Sequence, residues 1–107
     1  MSTVSILQNK ATAPGTGAAS CPGGCTNHMF EVTVSGTGAV SVTIEPRWSL
    51  ASGTPGAGNL ISAAQTVSGT TTASQTFTAE GAAEFVSCPI TAISGTGATC
   101  TVTYKGA

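Results

Sequence analysis

At 107 residues the chain has room for one compact domain and no second. Only 7% of its residues are charged, against about a quarter in ordinary globular domains, and the net charge is −1. Lys10, Arg47 and Lys105 are its whole basic complement, too few to neutralise a run of phosphates, so no nucleic-acid partner is expected. No apolar run approaches the length of a membrane span either.

The start, MSTVSILQNK, has no basic segment followed by a long apolar run. No secretory signal is read there, and synthesis in a cytoplasm is expected. Val4, Ile6 and Leu7 make a short apolar strand. Residues 8–27 are rich in Ala, Gly, Thr, Ser and Pro and offer almost no large side chain to bury. They read as an extended arm or long loop, so residues 1–27 are expected to form a strand and arm attached to a β-domain over 28–107.

In FEVTVSGTGAVSVTIEP (residues 30–46), Phe30, Val32 and Val34 alternate with polar residues, as do Val40, Val42 and Ile44. Period two on both sides of Gly36-Thr37-Gly38 predicts a hairpin. Pro46 interrupts the second strand or marks an edge, with Arg47, Trp48 and Leu50 continuing beyond it. ASGTPGAGN (51–59) is a loop on composition, and weaker strands are predicted over 60–67 and 74–79, separated by SGTTT. A last hairpin is predicted over 85–104. Its turn, SGTGA at 94–98, repeats the stretch at 35–39 and reads as reuse of one turn solution, since no fixed short period recurs. Nothing has helical periodicity. Roughly six to eight short strands with Gly-rich turns predict an all-β fold: a single antiparallel β-sandwich or small barrel, jelly-roll or Ig-like, with an extended N-terminal arm.

One stretch looks like chemistry: CPGGCTNH, residues 21–28. Cys21, Cys25 and His28 could hold zinc with Cys88 or Cys100, but structural zinc sites use C-x2-C or C-x4-C pairs followed by a second knuckle. The second pair of this chain has eleven residues between its members and no neighbouring His, so the spacing is permissive and not specific. A redox pair needs two residues between its thiols and a helix start to acidify one of them. Here Pro22, Gly23 and Gly24 intervene and no helix follows. Nucleophilic catalysis needs a base with an orienting group, and the chain has one His and no Asp. Glu31, Glu45, Glu80 and Glu84 lack the aromatic walls of a glycosidase cleft. Neither a cofactor nor a catalytic activity is read from the sequence. The outward threonines of TVT, TVTI and TVTY could form an ice-binding array, but they are also the default surface of a strand without charges.

That leaves Cys21, Cys25, Cys88 and Cys100 as disulfide candidates. If the last hairpin turns at Thr96, Cys88 and Cys100 lie about 13 Å apart at ~3.3 Å per residue, beyond the roughly 7 Å between Cα atoms that a bridge needs. No bond between those two is therefore expected. A bond from Cys21 or Cys25 to Cys88 or Cys100 would close more than sixty residues, worth about 4 kcal/mol in the chain-entropy model. The same bond to a neighbouring copy would tether subunits.

AEFVSCPITAISGTGATCTVTYKGA, and more weakly FEVTVSGTGAVSVTIEP, resembles the small structural proteins of tailed bacteriophages, chiefly over residues 80–107. The resemblance implies a β-sandwich virion protein, such as a capsid decoration (cement) protein that clamps the shell. Its partners would be the major capsid protein, other virion proteins and copies of itself, with a homotrimer preferred. It would be made in the host cytoplasm and work on the particle, where disulfides can persist. Trp48 and Arg47 are the candidate interface anchors. Alternatives are a tail, neck or fibre component, a receptor- or carbohydrate-binding module built on Trp48, Arg47 and the 51–59 loop, and a small zinc-stabilised domain.

Overall fold

The structure is a computed structural model, and it describes residues 3–20, 25–49 and 59–107. Among the described residues the chain forms strands β1 (Thr3–Ala11), β2 (Ala19–Ser20), β3 (Cys25–Ile44), β4 (Arg47–Ser49), β5 (Asn59–Leu60), β6 (Gln65–Ala83), β7 (Phe85–Ser87) and β8 (Ile90–Gly106). The long strands make one antiparallel sheet in the order β1-β8-β3-β6, and the short ones a second in the order β2-β7-β4-β5. The molecule is an all-β sandwich.

The predicted hairpins are not present. The chain continues without a reversal through Gly36-Thr37-Gly38 inside β3, through SGTTT inside β6 and through the second SGTGA inside β8. Each Gly-rich stretch finds its partner on a neighbouring long strand instead of on its own continuation: Ser35 faces Thr99, Thr37 faces Thr96 and Ser41 faces Ser94. Period-two alternation is the same for a hairpin and for one interrupted strand, so local pattern cannot separate them.

A straight strand of 20 residues would be roughly 66 Å long at ~3.3 Å per residue, yet the longest dimension of the molecule is 40 Å. The long strands therefore bend, and they do so where the register shifts: between Ser35 and Ala39 on β3, with Thr71 (φ 65°) on β6 beside it and Gly95 and Gly97 on β8. Irregularities of this type sharpen the local bend of a strand. Glycine is required by the close approach. A Cβ on Gly36 would lie 2.9 Å from Val40 Cγ1 and 3.0 Å from Thr96 O, and one on Gly95 would lie 2.7 Å from Ala39 O. The two SGTGA copies are thus a matched pair of bends packed against each other, not two turns.

Because the register shift preserves the inward parity, Phe30, Val32 and Val34 before the bend and Val40, Val42 and Ile44 after it all reach the same core. Cys100, Val102 and Tyr104 of β8, Val67 of β6, and Val86 and Cys88 belong to the same cluster, together with Leu7, Ala83, Ile90 and Ala98.

The segment expected to reach away as an arm is laid on the body where it is described. β1 pairs with β8 along Thr3–Ala11, with Leu7 buried at 1% exposure. Gly15 exchanges backbone hydrogen bonds with Ile90 (3.1 and 2.9 Å), the Ala18 N–H donates to Leu7 O at 2.9 Å, and β2 pairs with β7. Backbone pairing needs no large side chains, which is why a stretch poor in them could still dock.

Candidate functional site

Cys21 lies outside the described residues, as do Leu50 and residues 51–58 of the predicted loop. Cys25 opens β3, and a register shift between Cys25 and Asn27 turns its side chain onto the buried face. His28 is neither a loop nor a strand-edge residue. It has the even parity of Phe30 and Val32 and is buried at 2% exposure.

Both ring nitrogens of His28 are committed. Nε2 lies 2.6 Å from Gly81 O, and Nδ1 lies 2.6 Å from the Tyr104 hydroxyl. A carbonyl can only accept, so Nε2 carries the proton and donates to Gly81, and the Tyr104 O–H donates to the lone pair on Nδ1. The His28 and Tyr104 rings stack with centroids 5.7 Å apart, and Phe30 leans on Tyr104 at 5.3 Å. Burial, and then the neighbouring Cys25, push ionisation of the Tyr104 phenol above its ordinary range. The cluster is closed at its far side by Gly106, where a Cβ would meet the Tyr104 hydroxyl at 2.5 Å and Cys25 Sγ at 3.1 Å.

This geometry bears directly on the two chemical readings of CPGGCTNH. A metal ligand needs a free nitrogen lone pair, and a base for a thiol needs the same; on His28 that lone pair already holds the Tyr104 proton. Among the described residues no group of three His, Cys, Asp or Glu could hold a metal ion. What the cluster does is tie β3, β8 and the far end of β6 together.

Cys88 and Cys100 are both fully buried thiols, and no disulfide joins cysteines among the described residues. The 13 Å separation rested on a hairpin that is absent. Cys100 sits on β8 opposite Val34, and Cys88 lies between β7 and β8, near enough that the charge on Cys100 opposes its ionisation. Burial pushes the Cys88 thiol up to about 12, with the Cys100 charge adding to it, and burial pushes Cys100 up to about 11. Thiols held protonated in this way are poor nucleophiles.

Trp48 and Arg47 stand side by side on β4 but have different surroundings. Arg47 donates from Nε (3.2 Å) and Nη2 (2.9 Å) to Glu45 Oε1. Trp48 packs half-buried against the core and lines a cleft of about 290 Å³ with Leu60, Ile61 and the 80–82 stretch of β6. A larger open groove of about 580 Å³ lies over Asn27, Met29, Thr78 and Lys105. Glu80 borders both.

The threonines of the outer face bridge strands. Thr33 pairs with Ser74 at 3.0 Å, Ser35 with Thr99 at 3.3 Å and Thr43 with Thr66 at 3.0 Å.

The residues missed from sequence were Tyr104 and Gln8. Tyr104 shares the inward parity of Cys100 and Val102, so its hydroxyl had to find a buried partner, and the one histidine was the candidate. Gln8 carried no such signal, because it sits at a register shift of β1. No protein family, curated protein or solved structure matches this chain.

Proposed function

We propose that the protein is a structural component of a tailed-bacteriophage virion, a capsid decoration (cement) protein that stabilises the head through contacts of its β-domain with the major capsid protein and with copies of itself. The observation that carries this reading is how the polar groups are spent. Among the described residues no buried side-chain nitrogen or oxygen lacks a partner, and His28, Tyr104 and Gln8 all serve internal hydrogen bonds. The outer face is a hydroxyl-rich, nearly uncharged lattice. A molecule of this kind meets others through surfaces and sheet edges. The sequence resemblance over residues 80–107 points the same way.

The test is a cryo-EM map of the parent particle, together with binding of purified protein to undecorated heads. Density for this chain on the outer head surface, with heads that resist heating better when it is bound, is the expected result. Density confined to the tail or neck, or heads unaffected by the protein, would remove the cement role. Non-reducing gels of the particle report whether Cys21 or Cys25 tethers neighbouring copies, since only a tether gives bands above monomer size.

The Trp48 cleft favours one second reading, a glycan-binding module. A half-buried indole in a cleft that Glu80 also lines offers a stacking face and an acceptor for sugar hydroxyls. Glycan-array binding that disappears in Trp48→Ala would support it, and an empty array would end it.

A further inference from the structure

We propose that the open edge of β6 is a self-association surface, on which β6 of a second copy pairs antiparallel about a two-fold axis to make one continuous sheet. The inference stands whether or not the protein is a virion component.

β6 spans 19 residues, and among the described residues its only strand neighbour is β3. From Thr72 to Glu80 its register with β3 is unbroken, so that segment presents a regular row of outward N–H and C=O groups. Such a row is a template for another strand unless lysine, proline, a bulge or covering chain blocks it. β6 contains no Lys, Arg or Pro, and its two irregularities, at Thr71 and between Glu80 and Ala83, lie on either side of this segment. The opposite edge of the same sheet, β1, carries three of these guards: Lys10, two register shifts and the overlay of residues 15–20.

The occupant follows from self-complementarity. A two-fold axis normal to the sheet sets core-facing residues against core-facing residues, so Ala73, Gln75, Phe77 and Ala79 meet the same set on the partner, three of the four apolar, and outward Ser74 and Thr78 gain hydroxyls. The one charge on the strand, Glu80, sits at the end of the segment, so the two-fold sends the two carboxylates to opposite ends. With a net charge of −1, the copies scarcely repel. This pairing closes as a dimer, in place of the trimer expected from the sequence.

The test uses the full chain. Sedimentation equilibrium across a concentration series should show the mass doubling, and amide exchange should show alternate amides between Thr72 and Glu80 protected in the dimer and exposed on dilution. Ser74→Lys with Thr78→Lys puts like charges on both sides of the axis at exposed positions, and the dimer should be lost. Asn9→Lys on β1 should leave it intact. A monomer at every concentration would overturn the proposal and leave the edge to another protein's strand. A dimer indifferent to the lysines, or one with β6 amides unprotected, would overturn it as well.

Discussion

The two edges of the long sheet draw on the same small set of residues and end in opposite states. β1 is irregular, carries Lys10 at φ 50°, and is overlaid by the stretch that follows it, held by Ala18 N–H to Leu7 O and by the Ser5–Ser20 hydroxyl pair. β6 is longer, keeps an unbroken register from Thr72 to Glu80 and, among the described residues, has no strand on its outer side. Each edge is nonetheless anchored from inside by one buried polar side chain. On β1, Gln8 donates through Nε2 to Gly15 O (3.2 Å) and Cys88 O (3.1 Å); at β6, His28 donates to Gly81 O. A chain with little charge to use as repulsion protects an edge by covering it, so an edge left uncovered marks where another strand can add.

The comparison can be broken first at what the edges share, the bend. Gly95→Ala forces a side chain onto φ 122° and within 2.7 Å of Ala39 O, and should cost about 3 kcal/mol in a urea titration, with amides at both edges losing protection together. The anchors should separate the edges. His28→Leu strands the Tyr104 hydroxyl and the Gly81 carbonyl, and should cost about 2–3 kcal/mol with faster exchange at the 79–83 end of β6 alone. Gln8→Ala should cost less, about 1–2 kcal/mol, because Gly15 O keeps the Ile90 N–H and only Cys88 O loses its partner. Its exchange should quicken at Gly15 and Ala18, leaving β6 unchanged.

Alkaline pH acts on the core beneath both edges. Cys88 and Cys100 ionise near 9 when unfolded but only at about 12 and about 11 in the fold, so the folded state holds more protons between those values. Stability is then full below pH 9 and falls as pH rises through 11. The urea midpoint should be lower at pH 11 than at pH 9, and the decline should be shallower in the Cys88→Ala, Cys100→Ala variant. The smallest effect should come from the outer face: Thr43→Val gives up one exposed hydroxyl bond to Thr66 and should shift stability by less than about 0.5 kcal/mol.

Much of the inward face was legible. Alternation named Phe30, Val32, Val34, Val40, Val42 and Ile44 as core, and all of them are buried. His28 and Tyr104 shared the parity of those neighbours, so their burial was readable, but their pairing was not, because they are 76 residues apart in sequence. The stretch CPGGCTNH looked reactive because its residues are close in sequence. In space the His28 ring is held by Tyr104 and Gly81, groups that no local spacing could name.

By itself the sequence determined the class of the molecule. Alternation set which side chains turn inward, and the scarcity of charge set a hydroxyl surface and a preference for strands. Only the tertiary structure decided that SGTGA is a bend and not a turn, and that, among the described residues, the N-terminal segment lies on the body and one edge is covered while the other has no neighbour. Those outcomes depend on which backbone groups meet across the sheet. A backbone N–H carries no mark in the sequence of the strand it will choose.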